Sequence, residues 1–257
     1  MKRGARLGQH FLNAEWVARD LTKSVAVREG ETIVEVGPGT GVLTRHLLGT
    51  GARVIAIEKD EVLAEKLRET FAHEIASGTF VLVEGDVRDM TPDKLSLPGP
   101  YVLAANIPYY ITGEIIRLFL TTEQQPRAAA LLIQKEVAER IVARDGKESI
   151  LSLSVKAYGA PRIIAKVPAG CFNPPPSVDS AIILIEDISR NFFSEVREED
   201  FFRVVKAGFA SKRKMLAGNL KAFTPHASEA LKGAGLPEKV RAEDVDLEGW
   251  KRIVEKI

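Results

Sequence analysis

The sequence predicts an α/β fold in which a doubly wound, mainly parallel sheet is followed by a small α-helical C-terminal domain. From Thr32 onward, short β-branched runs alternate with longer segments whose apolar residues recur at helical spacing. Each short run is apolar enough to be covered on both faces. Alternating strands and helices imply right-handed crossovers and parallel pairing. After Asp187 the helical spacing continues but the strand pattern stops, which predicts the second domain.

The first five predicted strands share short runs of β-branched and apolar residues. They are Thr32–Val36, 53–57, 79–83, 101–105 and 128–133. The segments between them carry apolar residues at helical spacing. They predict helices over 41–48, 61–75 and 113–121.

The next part of the chain predicts the edge of the sheet. Residues 136–158 indicate further helix, interrupted near Asp145 and Gly146. Two late strands, 162–167 and Ser180–Glu186, could form an antiparallel hairpin at the edge. Residues 173–176 (Asn-Pro-Pro-Pro) cannot lie in a central strand and are expected to form a stiff loop.

The C-terminal part is predicted to be helical throughout. Its helices are expected over 198–210, 212–222, 228–234 and 247–257. We therefore expect a catalytic domain over residues 1–189 and a helical domain over 190–257.

The composition is ordinary for a globular protein. The chain has 257 residues, 45% hydrophobic and 28% charged, with a net charge of +1. Its single cysteine, Cys171, excludes an internal disulfide and a cysteine-cluster metal site. No apolar run approaches the roughly 20 residues that span a bilayer, and the start lacks the apolar region of a signal peptide. We expect a cytoplasmic protein without a metal or a membrane partner.

Two local clusters of basic residues are candidates for contact with phosphate, although such clusters are usually solvated surface. They are Lys2, Arg3 and Arg6 at the start, and Lys212, Arg213 and Lys214 in the helical domain.

A chemically useful residue follows each of four successive predicted strands. The first strand runs into 35–41 (Glu-Val-Gly-Pro-Gly-Thr-Gly), and Glu58, Asp86 and Asn106 follow the next three. In an open parallel sheet, ligands bind beyond the carboxyl ends of the strands. The series therefore predicts a nucleoside-type site.

The glycine loop favours S-adenosylmethionine over NAD as the ligand. Gly37, Gly39 and Gly41 form G-x-G-x-G, whereas the dinucleotide fingerprint is G-x-G-x-x-G. Glycines let the main chain approach a ligand closely, although a purely structural tight turn is the alternative. Glu58 would bind ribose hydroxyls and Asp86 the cofactor's adenine amine. The competing interpretation of Glu58 is an exposed acid at a strand end. For Asp86 it is an aspartate that caps the following turn.

The tetrapeptide at 106–109 (Asn-Ile-Pro-Tyr) directly follows an apolar strand. A polar amide, a rigid proline and an aromatic ring would clamp a planar ring that bears an amine. This placement predicts the reactive end of the pocket.

Four motifs resemble those of the rRNA adenine N6-dimethyltransferases, in the family's order. They are 8–12 (Gly-Gln-His-Phe-Leu), 35–41, 106–109 and 172–180 (Phe-Asn-Pro-Pro-Pro-Ser-Val-Asp-Ser). The resemblance covers essentially the whole chain, including 209–220 and 241–243, and is strongest to the KsgA-type enzymes. It implies a Rossmann-like class I methyltransferase sheet that uses S-adenosylmethionine. It also implies dimethylation of two adjacent adenosines near the 3′ end of small-subunit rRNA, in ribosome biogenesis.

The resemblance assigns roles to individual positions. The residues matched to cofactor binding are His10, Leu12, Gly37, Gly39, Glu58, Asp86 and Asn106. Asn106 also begins the catalytic motif. Tyr110, where some relatives carry asparagine, is interpreted as a tolerated variation that could alter the pocket wall.

The catalytic residues would act by positioning and electrostatics, without a metal or a covalent intermediate. The side-chain oxygen of Asn106 and the carbonyl of Pro108 would accept the two N6 hydrogens of adenine. Tyr109 and Phe172 would stack on the base, which must leave its own stack to enter the pocket. For Phe172 the competing interpretation is a core aromatic.

Three other functions remain open. One is an erythromycin-resistance-type enzyme acting on large-subunit rRNA. The small-subunit group is favoured over it by residues 174–176, by residues 178–181 and by the C-terminal segment. Another is a ribosome-assembly factor that acts mainly by binding an immature subunit. The third is a DNA adenine methyltransferase, disfavoured because no separate sequence-reading domain is evident. We expect a monomer whose partner is small-subunit rRNA or the immature subunit, with no DNA.

Overall fold

The computed structural model of the protein describes residues 10–90, 92–95 and 97–257. The predicted basic residues Lys2, Arg3 and Arg6, and the first two residues of the motif at 8–12, lie outside these ranges. The strands are β1 (Phe11–Leu12), β2 (Thr32–Val36), β3 (Arg53–Glu58), β4 (Phe80–Glu84), β5 (Tyr101–Asn106), β6 (Ala129–Gln134), β7 (Ala160–Val167), β8 (Phe172–Asn173) and β9 (Ser180–Glu186).

The helices alternate with the strands in the first part of the chain and follow one another in the last part. They are α1 (Glu15–Val25), α2 (Val42–Leu48), α3 (Glu61–Thr70), α4 (Ala72–Ala76), α5 (Thr112–Thr121), α6 (Lys135–Ile141), α7 (Ile150–Lys156), α8 (Glu198–Gly208), α9 (Leu216–Leu220), α10 (Ala227–Gly233) and α11 (Leu247–Val254).

The central sheet has seven strands in the order β4-β3-β2-β5-β6-β9-β7. The pairs among β4, β3, β2, β5 and β6 are parallel, and β9 is antiparallel to both β6 and β7. The predicted α/β class is confirmed. The two late strands pair as a hairpin, but β9 lies inside the sheet and β7 forms the edge. The burial agrees, because β9 is almost wholly buried and β7 is largely half-exposed.

Two predicted helices are shorter or broken, and the interruption expected in a third is observed. The helix expected over 61–75 is interrupted at Phe71, whose ring packs edge-on against Phe80 with ring centroids 5.3 Å apart. The helix expected over 212–222 is only Leu216–Leu220. The interruption expected near Asp145 and Gly146 is observed, because α6 ends at Ile141 and α7 begins at Ile150. At Phe71, burial of the ring outweighs the local helical pattern.

Helix α1 was absent from the sequence-based assignment, which began at Thr32. Its Val17, Leu21 and Val25 are buried and recur every four residues, so the usual signal of an amphipathic helix is present. The helix covers the sheet beside the strands that carry the candidate site, with its contacts on β5, β6 and β9.

A two-stranded antiparallel sheet joins two motifs that are distant in sequence. In it Phe11 pairs with Asn173 and Leu12 with Phe172, and the Asn13 N–H donates to the Cys171 carbonyl at 3.0 Å. The loop expected over 173–176 therefore begins inside this pairing. The pairing brings the N-terminal segment to the carboxyl ends of the parallel strands.

The described chain divides into two compact units. One comprises the described residues up to Ala138 together with Ala160–Ile188, and the other comprises Glu139–Gly159 and Ser189–Ile257. The second unit thus includes a segment, Glu139–Gly159, that the sequence analysis placed in the first domain. Within the described ranges, no helix has the length and apolar character needed to cross a membrane.

Candidate active site

A pocket of about 420 Å³ lies at the carboxyl ends of the parallel strands. This volume falls within the range of roughly 300–1,000 Å³ that is usual for small-molecule sites. Its lining includes every predicted cofactor and catalytic residue: His10, Leu12, Gly37, Gly39, Glu58, Asp86, Asn106, Pro108, Tyr109 and Phe172. Lys212, Arg213 and Lys214 are not among its lining residues.

The glycines of the loop serve different purposes. Gly39 has a φ of +59°, and a Cβ there would lie 3.3 Å from the Phe11 ring. Gly41 has a φ of +82°, and its Cβ would lie only 2.7 Å from the Phe71 ring. Because L side chains rarely adopt such φ values, both positions favour glycine. Gly39 borders the pocket, whereas Gly41 is required by packing at the start of α2.

Glu58 is a buried carboxylate that the main chain holds in place. Only 5% of the Glu58 surface is exposed to solvent. One carboxylate oxygen accepts from the Gly39 N–H at 3.1 Å and the other from the Asp60 N–H at 2.9 Å. Burial raises the pKa of Glu58, while these main-chain bonds act in the opposite direction. Each oxygen keeps an acceptor site for a further donor, such as a hydroxyl.

Asp86 lies in the pocket but its carboxylate is already bonded to two cations. Arg88 donates to Oδ1 from its main-chain N–H at 3.0 Å and from Nε at 2.9 Å, and it also donates to Oδ2. Lys59 Nζ donates to Oδ2 at 2.9 Å. The Arg88 bonds, aided by Lys59, hold the pKa of Asp86 well below its usual range. A further donor would have to displace one of these cationic groups.

The Asn106 amide stands at the end of β5 and is oriented by the N-terminal segment. Its Nδ2 donates to the His10 carbonyl at 3.5 Å, a long hydrogen bond. This contact uses the donor end of the amide and leaves Oδ1 as an acceptor. His10 is held in turn, because its Nδ1 lies 2.8 Å from the Pro174 carbonyl.

Two main-chain carbonyls follow Asn106 in the motif. The Pro108 carbonyl accepts from the Ile111 N–H at 3.1 Å, in a short 3₁₀ turn over Tyr109–Ile111. Its direction is thereby fixed, with one lone pair remaining. The Ile107 carbonyl has no hydrogen-bond donor among the residues that the structure describes.

The aromatic residues at the Asn106 end of the pocket differ in exposure. The Tyr109 hydroxyl bonds to Ser180 Oγ at 2.7 Å, and the His10 ring stacks on Tyr109 with centroids 6.0 Å apart. Burial raises the pKa of Tyr109, which keeps its phenol neutral. Phe172 is only 3% exposed and belongs to the hydrophobic core as well as to the pocket wall. Tyr110, by contrast, is 68% exposed.

Several of these residues escaped the sequence analysis. Arg88 could have been noticed, since it follows Asp86 by two positions in a turn. Lys59 could not, because it reaches Asp86 across 27 residues of chain. Ser180 closes the motif at 172–180, but its bond to Tyr109 across 71 residues could not be foreseen. Such pairings are set by the order of strands in the sheet.

Comparison with known proteins identifies close relatives along the whole chain. A family model described as ribosomal RNA adenine dimethylase matches residues 2–257. The chain is 39% identical over 252 residues to ribosomal RNA small subunit methyltransferase A of Dehalococcoides mccartyi, covering 96% of this chain and 86% of the relative.

Solved structures agree with this kinship. The crystal structure of the 23S rRNA methyltransferase ErmE has a TM-score of 0.80 at 25% identity, covering 96% of this chain and 98% of that one. A dimethyladenosine transferase from Plasmodium falciparum has a TM-score of 0.78 at 24% identity, covering 95% and 96%, and shows the shared fold.

Proposed function

The chain belongs to the ribosomal RNA adenine dimethylase family, and from this membership we propose how its pocket performs the reaction. The protein is an S-adenosylmethionine-dependent methyltransferase that dimethylates adenine in small-subunit rRNA. One observation carries the proposed mechanism: the glycine loop, Glu58, Asp86 and Asn106 line a single pocket at the strand ends.

The pocket residues suit S-adenosylmethionine. When bound, this cofactor supplies an electrophilic methyl group on its sulfonium. Gly37 and Gly39, both at positive φ, leave room beside the main chain, and Glu58 offers one open acceptor site on each oxygen for the ribose diol. His10 and Leu12 close the N-terminal side of the pocket. Asp86 would bind the adenine amine after Lys59 or Arg88 shifts away.

Asn106 would hold the amine of the target adenine. Adenine N6 is a weak nucleophile because its lone pair is delocalised into the ring. Acceptance of one N6 hydrogen by Asn106 Oδ1 and of the other by a main-chain carbonyl would draw the nitrogen towards tetrahedral geometry. Pro108 can accept through its remaining lone pair, and the Ile107 carbonyl, which has no donor in the described part of the chain, is an equal candidate. The lone pair of N6 would then point along the pocket. Positioning and electrostatics would accelerate the methyl transfer.

Two rings would form walls for the flipped base. Tyr109 is fixed by its bonds to Ser180 and by the His10 ring, so any stacking uses its other face. Phe172 could contribute only the small part of its ring that the core leaves uncovered. Both walls are held rigidly, which suits a site that must orient a base after it leaves its stack.

The basic turn over Lys212, Arg213 and Lys214 would bind phosphates of the same rRNA. All three side chains are exposed, and the described residues include no acidic partner for them. Asn219 Nδ2 donates to the Gly208 and Ser211 carbonyls, which holds the start of the turn. Cations without acidic partners can release phosphate counterions and so favour RNA binding.

The finer substrate is proposed to be two adjacent adenosines near the 3′ end of the RNA in an immature small subunit. The identity to the small-subunit relative, 39%, exceeds the 25% to the 23S rRNA enzyme, which favours the small subunit over the large one. The adjacent pair near the 3′ end rests on the resemblance of the motifs to the KsgA-type enzymes. The protein would act in the cytoplasm as a monomer.

Purified small and large subunits lacking these methyl groups would be incubated separately with the protein and S-adenosylmethionine. Mass spectrometry of the adenosines should then find dimethyladenosine at two adjacent positions of small-subunit rRNA. Methylation of the large-subunit RNA alone would overturn the proposal.

A further inference from the structure

Tyr110 offers the most accessible aromatic surface at the reactive end of the pocket. Apart from His10 and from Phe11, whose ring lies against Gly39 of the glycine loop, three aromatic residues line the pocket, and stacking on a base requires an uncovered ring face. His10 covers one face of Tyr109, and Phe172 is buried in the core. Tyr110 lines the same pocket yet is 68% exposed. An exposed tyrosine in the same pocket as Asn106 has a ring available for the substrate.

The backbone that carries this ring is rigid. Tyr110 is the middle residue of the 3₁₀ turn over Tyr109–Ile111, which follows Pro108 and leads directly into α5 at Thr112. The Ile111 N–H bond to the Pro108 carbonyl closes the turn at 3.1 Å. A ring on a fixed backbone loses little conformational freedom when a base stacks on it.

A cation lines the same pocket as this ring. Arg88 lines the same pocket and is anchored to Asp86 by its Nε and its main-chain N–H. Its pKa is raised mainly by the bond to Asp86, and in smaller part by the nearby Glu114 and Tyr110. Arg88 and Tyr110 together form a rim that combines positive charge with an aromatic face, the pairing that suits a single-stranded nucleic acid.

We propose that Tyr110 is a stacking platform for the nucleotide that adjoins the target adenosine. The inference rests on the proposed function, in which two adjacent adenosines enter the pocket in turn. While one base is held by Asn106, its neighbour has also left its stack and needs a surface. Tyr110, on the rim immediately after the catalytic motif, supplies that surface.

The test compares Tyr110→Ala with Tyr110→Phe and Tyr110→Trp, which keep an aromatic ring. Steady-state kinetics would use small subunits that lack the methyl groups, and S-adenosylhomocysteine binding would be measured by calorimetry. Tyr110→Ala should raise KM for the subunit roughly tenfold, the effect expected for one lost base stack. Its kcat and its affinity for S-adenosylhomocysteine should stay close to those of the wild type. The ring-preserving variants should keep the wild-type KM.

Ile75→Ala is the matched control, since Ile75 is another exposed apolar side chain and does not line the pocket. Ultraviolet crosslinking of the wild-type complex should also yield an RNA adduct on Tyr110. An unchanged KM in Tyr110→Ala would overturn the inference. Weaker S-adenosylhomocysteine binding would also overturn it, because it would show that the Tyr110 ring contacts the cofactor. A fall in kcat alone would assign the ring to the target base instead. If wild-type protein methylates no small-subunit adenosine, the proposed function fails first.

Discussion

Glu35 and Glu58 are carboxylates at the ends of adjacent strands, and their surroundings differ sharply. Glu58 receives hydrogen bonds from two main-chain N–H groups and lines the pocket. Glu35 is fully buried, and neither of its oxygens has a hydrogen-bond partner within residues 10–90, 92–95 and 97–257. Burial raises the pKa of Glu35 to about 8, although the nearby Thr44 hydroxyl opposes the rise without forming a well-aligned bond. Glu35 is thus a neutral core group at ordinary pH.

The stability of the protein should therefore depend on Glu35 in alkaline solution. Its pKa in the folded state, about 8, exceeds the 4.5 of a solvated glutamate. The folded state binds the additional proton between these values, so the contribution is complete below about pH 4.5 and is lost as the pH rises through about 8. Compared with Glu35→Gln, the wild type should lose roughly 2–4 kcal/mol more unfolding free energy between about pH 5 and pH 9.

Urea unfolding across this pH range measures the effect. Glu69→Gln, a change at an exposed glutamate, serves as the control and should follow the wild type. Parallel pH profiles for the wild type and Glu35→Gln would show that Glu35 does not carry the proton.

Asn106→Ala should separate catalysis from RNA binding. Loss of the amide oxygen removes an acceptor that matters most in the transition state, so kcat should fall by about 100-fold or more. Binding of small subunits should persist, because the proposed phosphate contacts of Lys212, Arg213 and Lys214 are unchanged. Labelled methyl transfer and filter binding measure the two properties, with Asn191→Ala, at an exposed asparagine, as the control. Loss of both properties together would contradict the mechanism.

At the scale of elements, the residue that separates α3 from α4 packs against the start of α2. Phe71 interrupts the helical run and places its ring against Phe80 and over Gly41. The glycine-rich loop is therefore supported from behind by a core aromatic while its front borders the pocket. The β1–β8 pair acts similarly at the other side, since it holds Leu12 beside Phe172.

Gly41→Ala should destabilise the protein by more than its backbone conformation alone would cost. Gly41 and Gly51 share a φ of +82°, but a Cβ at Gly51 would meet nothing within 4 Å. Gly51→Ala should cost about 1 kcal/mol for the left-handed conformation. Gly41→Ala should cost about 2–4 kcal/mol, because contact with the Phe71 ring adds to it. Denaturant unfolding of both variants would test this, and equal losses would exclude the packing contribution.

At the scale of the whole molecule, the two compact units carry different parts of the proposed activity. The sheet unit holds the pocket, and the helical unit holds the basic turn over Lys212, Arg213 and Lys214. The net charge is only +1, so attraction to RNA depends on such local concentrations of positive charge.

Replacing Lys212, Arg213 and Lys214 together by alanine should weaken subunit binding and flatten its dependence on salt. If each cation contacts one phosphate, the slope of log affinity against log salt should become shallower by about 2. Affinity for S-adenosylhomocysteine should not change. Filter binding over a salt series measures the slope, with Lys66→Ala as a control at an exposed lysine of the sheet unit. An unaltered slope would show that the turn makes no phosphate contacts.

The sequence by itself determined the α/β class and the candidate cofactor and catalytic residues that line the pocket. Alternating periodicities identify strands and helices locally, and parallel strands bring their carboxyl ends to one edge. Glu58, Asp86 and Asn106 could therefore be placed together without knowledge of any contact between them. Their individual roles remain proposals.

The tertiary structure alone decided how those residues are supported. The bonds of Lys59 to Asp86, of Ser180 to Tyr109 and of His10 to Pro174 span from 27 to 164 residues. The tertiary structure also decided that the Phe71 ring leaves no room for a side chain at Gly41. It likewise decided that Glu139–Gly159 forms one compact unit with the C-terminal helices. Local patterns do not encode such contacts, because they follow from the order of strands and from competition among side chains for the same buried space.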